Sequence, residues 1–180
     1  MALGSILYRV NVELSDVDRG IYERLRLRLA CHPSESAERL VTRLLAYALL
    51  YEPGLEFGRG LSDSEEPALW SHDSTGQLLH WIDVGLPSAE RIHAASKRAP
   101  RVSIVCHRSL DALEREMRKK EVHRAEQIQV LLLDPDFVAQ LAACLERSGE
   151  WTVVHSEGEL SVSVKDQSFA ATLQWIALPQ

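Results

Sequence analysis

A chain of 180 residues, 46% hydrophobic and 26% charged, is long enough for one domain with a substantial core. Its formal net charge of -6 excludes a protein that simply coats nucleic acid, although a local basic patch is compatible with that balance. The three cysteines (Cys31, Cys106 and Cys144) lack CxxC spacing, which excludes a zinc ribbon and suits a reducing, cytoplasmic setting. "MALGSILYRVNVEL" has no charged n-region and is interrupted by Arg9 and Asn11, so it is not expected to be a signal peptide, and no run of 18 apolar residues suggests a membrane span.

In chain order, residues 6–14 alternate, with Tyr8, Val10, Val12 and Leu14 on one face. Residues 21–30 alternate again, Leu25, Leu27 and Leu29 opposite Arg24, Arg26 and Arg28, and the turn-rich link "SDVDRG" predicts an antiparallel hairpin. "HPSE" offers Pro33 as a first helical position and Glu35 as the third, opening a helix whose stripe is Ala37, Leu40, Val41, Leu44, Leu45 and Ala48. A short strand "LEFGR" and a loop "GLSDSEEPALW" with a single helical turn follow. "LLHWIDVGLP" then reads as a buried strand, and "GLPSAERIHAASKRAP" as a helix between Pro87 and Pro100. "RVSIVC" predicts a strand, "SLDALEREMRKK" an amphipathic helix, "QIQVLLLD" a buried strand and "DPDFVAQLAACLERSG" a helix running to Gly149. The tail reads as a meander of three short strands. The expected class is α+β: one compact domain over residues 1–180, a mixed sheet with flanking helices, an N-terminal hairpin and a C-terminal β-meander.

The strand 78–84 raises the chemical question, because Asp83 shares a face with Leu79 and Trp81 in an otherwise apolar run. A buried carboxylate needs a hydrogen-bond cap, a basic partner or a metal ion. With Glu66 of "SDSEEP" it makes a candidate pair of oxygen ligands; the plain alternative has Asp83 capped by the following turn and Glu66 in solvent. Glu35 and Glu38 complement a helix dipole, or point at such a site. Arg24, Arg26 and Arg28 step along one strand face at intervals that suit phosphates, or pair with Glu13 across the hairpin. On the helix after Asp83, Arg91 and Lys97 are candidate cations for a charged phosphate, although six positions separate them and they do not share a face.

"HPSE", "GLSDSEEPALW" and "WIDVGLPSAERI", in this order and spacing and after the N-terminal "MALGSILYRVNVELSDVDRGIYERLRLRLACHPSES", resemble the YaeQ family of small bacterial proteins. The likeness is strong to about residue 105 and extends to the tail in length and character. It implies a variation of the PD-(D/E)XK nuclease core. By that resemblance Glu66 takes the first acidic role and Asp83 the second, both holding Mg2+ or Mn2+, while Glu35 resembles a helix-borne supporting Glu. The usual Lys two residues after the second acid is Gly85 here, and Ala94 stands where a family Lys is expected. That leaves Arg91 or Lys97 as the cation. The implied function is metal-dependent, nuclease-like phosphodiester hydrolysis on DNA or RNA. The alternative is a catalytically silent member of the same scaffold that binds nucleic acid, through Arg24, Arg26 and Arg28, or a protein partner.

Overall fold

The structure is a computed structural model and describes residues 4–179. Strands β1 (Ile6–Asp16) and β2 (Ile21–Cys31) form the expected hairpin, in a register that sets Val10, Val12 and Leu14 opposite Leu27, Leu25 and Glu23. Helix α1 (Ala37–Leu49) starts later than "HPSE" predicts. Ser36 is its cap, with Oγ accepting the Arg39 N–H at 3.2 Å, while the Glu35 N–H donates to the His32 carbonyl and makes His32–Glu35 a turn. Glu35 therefore stands outside the helix.

β3 (Leu55–Phe57), a 3-10 turn at Gly60–Ser62, β4 (Leu69–His72) and β5 (Leu78–Val84) follow. β4 falls in a stretch that pattern reading treats as loop and turn. Its four residues follow an acidic, Pro-containing run and gain strand character from pairing with β3 and β5. Next come α2 (Ala89–Arg98), β6 (Arg101–Cys106), α3 (Leu110–Met117), β7 (Gln129–Leu132) and α4 (Pro135–Ala143). α4 stops short of Gly149, because Ser148 already opens β8 (Ser148–Ser156). β9 (Glu159–Val164), β10 (Gln167–Thr172) and β11 (Gln174–Ala177) complete the chain, making four tail strands instead of three.

The strands divide into two sheets, where the sequence predicts one. The first has the order β10-β9-β8-β1-β2 and joins the N-terminal hairpin to the C-terminal meander through a parallel β1–β8 pairing. The second, β11-β7-β6-β5-β4-β3, has β5, β6 and β7 parallel at its centre and antiparallel strands at its edges. Apolar faces of both sheets enclose α1 and α4 in one core that includes Val12, Leu27, Leu44, Ile82, Val138 and Val153. The other face of the second sheet carries Trp81, Val102, Ile104 and Val130, covered by α2 and α3 through Ile92, Ala95, Leu113 and Met117. The result is a four-layer α+β domain. Burying these side chains contributes about 1.5–3 kcal/mol each relative to leaving them in water.

Candidate functional site

Because β5, β6 and β7 run parallel, their C-terminal ends open along one edge, and the chain re-enters a helix after each of them. Open sheets of this kind bind ligands outside the carboxyl ends of their strands. A cleft of about 1070 Å³ lies there, lined by Ser36, Ser88 and Ser109 together with Glu66, Asp83, Gly85, Arg91, His107 and Arg108. The three serines are the caps of α1, α2 and α3, and Pro135 from the first turn of α4 also lines the cleft. Helix N-termini carry unpaired N–H groups and about half a positive charge each.

Asp83 is 3% exposed and is answered by a cation. Arg91 clamps it, Nε donating to Oδ2 at 2.8 Å and Nη2 to Oδ1 at 2.9 Å, and the Trp81 indole N–H donates to Oδ2 at 2.8 Å. The same guanidinium donates to the Glu66 carbonyl at 2.6 Å and to the Ser64 carbonyl, which fastens the 60–67 loop to β5 and α2. Trp81 lies beneath two cations, with Arg91 Cζ 5.5 Å and Arg98 Cζ 5.0 Å from its ring centroid. The Glu66 carboxylate faces Arg59, accepting its backbone N–H at 2.8 Å, with Nε at 3.4 Å. Among the described residues no group of three or more His, Cys, Asp or Glu side chains is arranged to hold a metal ion.

Gly85 stands where the nuclease resemblance leads one to expect a lysine. Its φ of +85° lies in the left-handed region, and a Cβ there would sit 3.7 Å from His107 Cε1. A lysine at this position would be strained. Ala94 is on an exposed part of α2, and Lys97 lines a different hollow with His93, Lys120 and His123. Of the two candidate cations, Arg91 alone lines the cleft.

Glu35 lies behind the cleft wall. Its side chain is fully buried between Arg39, at 2.6 Å, and Arg43, at 2.9 Å, and Arg43 also donates to the Ala30 carbonyl. It anchors the end of β2 to α1. Arg24, Arg26 and Arg28 occupy the exposed face of β2, opposite Glu13, Asn11 and Arg9. Arg24 approaches Glu13 at 3.3 Å, but that pair is too exposed to contribute more than a fraction of a kcal/mol.

Two features of the site escape sequence reading. His107, beside Cys106 at the end of β6, is 6% exposed and lines the cleft, and its buried Nδ1 has no partner among the described residues. The convergence of the serine caps has only a weak signal, a serine three or four residues beyond each of two central strands. At the opposite end of the strands, Ser103 Oγ lies 2.9 Å from His80 Nε2, and His80 Nδ1 lies 3.7 Å from a Glu52 carboxylate bonded to Ser71 and Arg101. Burial, with Arg101 adding to it, pushes the His80 pKa down to about 4. His80 and Ser103 are 5% and 4% exposed, at the floor of a small hollow of about 280 Å³, and this network fastens strands together.

The fold and cleft define a two-sheet α+β protein with an arginine-lined pocket at the carboxyl ends of its parallel strands. The family model described as YaeQ protein matches residues 1–173, and the chain belongs to the YaeQ family. The chain is 38% identical to the YaeQ protein from Pseudomonas syringae, whose crystal structure superimposes with a TM-score of 0.88 over 96% of each chain. It is 33% identical to the YaeQ protein from Xanthomonas axonopodis pv. citri, with a TM-score of 0.88 over 97% of this chain and 99% of that one. A curated relative from Escherichia coli (strain K12), described as uncharacterized protein YaeQ, is 32% identical over 82% of each chain. No helix among the described residues is long and apolar enough to cross a membrane.

Proposed function

We propose that this protein binds the phosphate backbone of nucleic acid at the cleft, on a PD-(D/E)XK nuclease-like scaffold that is catalytically silent in this arrangement. The observation that carries the reading is the state of Asp83, the acid at the position the scaffold reserves for a metal ligand. Both of its oxygens are taken, by a bidentate guanidinium and an indole N–H. The donor set does not suit a divalent ion, since Mg2+ or Mn2+ would have to displace Arg91 and find its second acid in a Glu66 already facing Arg59. Phosphate recognition needs no such displacement, because helix N-termini and arginines supply it directly.

Metal-dependent hydrolysis is the second reading. It is favoured by the fact that Glu66 and Asp83 line the same cleft and are linked through Arg91. One experiment separates the two. Fluorescence anisotropy on labelled single-stranded, duplex and branched oligonucleotides, across a salt series, is expected to give binding that weakens steeply with salt. Parallel incubations with Mg2+ and Mn2+ are expected to leave the strands intact. Absence of binding at low salt overturns the proposal, and cleavage lost in Asp83→Asn installs the metal-dependent reading. Replacing Arg24, Arg26 and Arg28 together tests whether the outer face of β2 contributes, read as a shallower salt slope.

A further inference from the structure

The cleft has two unlike walls. On one, every acid is answered: Asp83 by Arg91, Asp63 by Arg59 at 3.4 Å and by the Glu65 N–H at 2.9 Å, and Glu66 by Arg59. On the other are the N-termini of α1 and α3, the exposed Arg108 and the buried His107. Ser36 and Ser109 each take only the N–H three residues on, Arg39 at 3.2 Å and Ala112 at 3.3 Å, which leaves further first-turn N–H groups of both helices without an intrahelical acceptor. This wall is the electropositive one.

His107 gives the wall its second, independent signal. A polar ring 94% removed from water ordinarily has partners for its nitrogens, and an unpaired one costs about 1–3 kcal/mol. Its Nδ1 has none. Nδ1 is closed off from solvent and no acceptor there fixes the tautomer, so the ring can present an Nε2–H to an anion where it lines the cleft. Gly85 keeps the space beside Cε1 free. Burial, helped by Arg108 and Arg39 and opposed by Glu38, holds the imidazole below its ordinary pKa, so it is a neutral donor near pH 7.

We infer that the wall formed by His107, Arg108 and the N-termini of α1 and α3 is a seat for a single phosphate group, bound as a free phosphate or as the terminal phosphate of an oligonucleotide. The inference deepens the proposed function and rests on it only for the oligonucleotide source. The seat itself is tested without nucleic acid.

Calorimetric titration of the full chain with inorganic phosphate, in chloride buffer of matched ionic strength, is expected to show saturable binding. Arg108→Ala, at an exposed position, and His107→Phe, which keeps a buried ring, are each expected to weaken it about tenfold or more. Circular dichroism melts verify that both variants fold, and if His107→Phe does not fold, Arg108→Ala alone decides. No saturable phosphate heat, or unchanged affinity in the folded variants, overturns the seat. Oligonucleotides with a 5′-phosphate and with a 5′-hydroxyl distinguish the sources. Preference for the phosphorylated end, competed by inorganic phosphate, assigns the seat to a terminal phosphate. Phosphate binding without oligonucleotide binding upholds the seat for the free anion while the proposed function falls.

Discussion

The Asp83 carboxylate is 3% exposed, and removing the Arg91 guanidinium leaves it, among the described residues, an indole N–H as its one partner. Breaking one side of a buried pair costs about 3–5 kcal/mol, so Arg91→Ala is expected to lower the urea midpoint strongly. Asp83→Asn in the same chain should recover part of that loss, because the neutral amide still accepts from Trp81 and needs no counter-charge. A double-mutant cycle with no coupling would show that the pair does not stabilise the fold. At this scale the sequence was informative about which acid mattered and silent about its partner. Asp83 stood out because a carboxylate in an apolar strand must be compensated, but nothing local says that a cation eight residues on will reach back bidentately. Glu35 shows the same limit in part: Arg39 stands at a local four-residue spacing, whereas Arg43, eight residues on, meets Glu35 only once the His32–Glu35 turn folds back against α1.

The elements that shape the cleft were legible where local signals act alone. α2 lies between Pro87 and Pro100 with a serine cap, and the hairpin alternates cleanly. β4 and the end of α4 were not, because pairing decides both. β4 is short and becomes a strand beside β3 and β5, and the residues that follow α4 are drawn into the parallel pairing with β1. Gly58 tests how tightly the β3–β4 junction is built. Its N–H donates to the Ala68 carbonyl at 3.0 Å, and a Cβ there would run into the Pro67 carbonyl oxygen. Gly58→Ala is therefore expected to cost about 2 kcal/mol and to loosen the loop bearing Glu66. Hydrogen exchange localised to residues 58–68 checks it, and an unperturbed loop would refute the tight fit.

Across the whole molecule, the Glu52–His80–Ser103 network ties the segment after α1 to β4, β5 and β6, and it makes stability depend on pH. His80 is neutral when folded, facing Glu52 and Arg101, with its pKa pushed down to about 4. The unfolded chain binds that proton near pH 6.5, so stability is expected to fall as pH drops from about 6.5 to about 4, by on the order of 3 kcal/mol. Melts of His80→Gln should lack that part of the slope; an identical pH profile would remove His80 as its source. The division into two sheets was the least legible feature, since the strands of both sheets share the same alternating or apolar patterns.

The seam between β1 and β8 joins residues as far apart as Asn11 and Glu150, separated by 139 positions. On a ribosome the opening hairpin therefore emerges without its inner neighbour and must wait for most of the remaining chain to be synthesised before the free edge of β1 is paired. Closure over so long a span makes this a slow-folding topology.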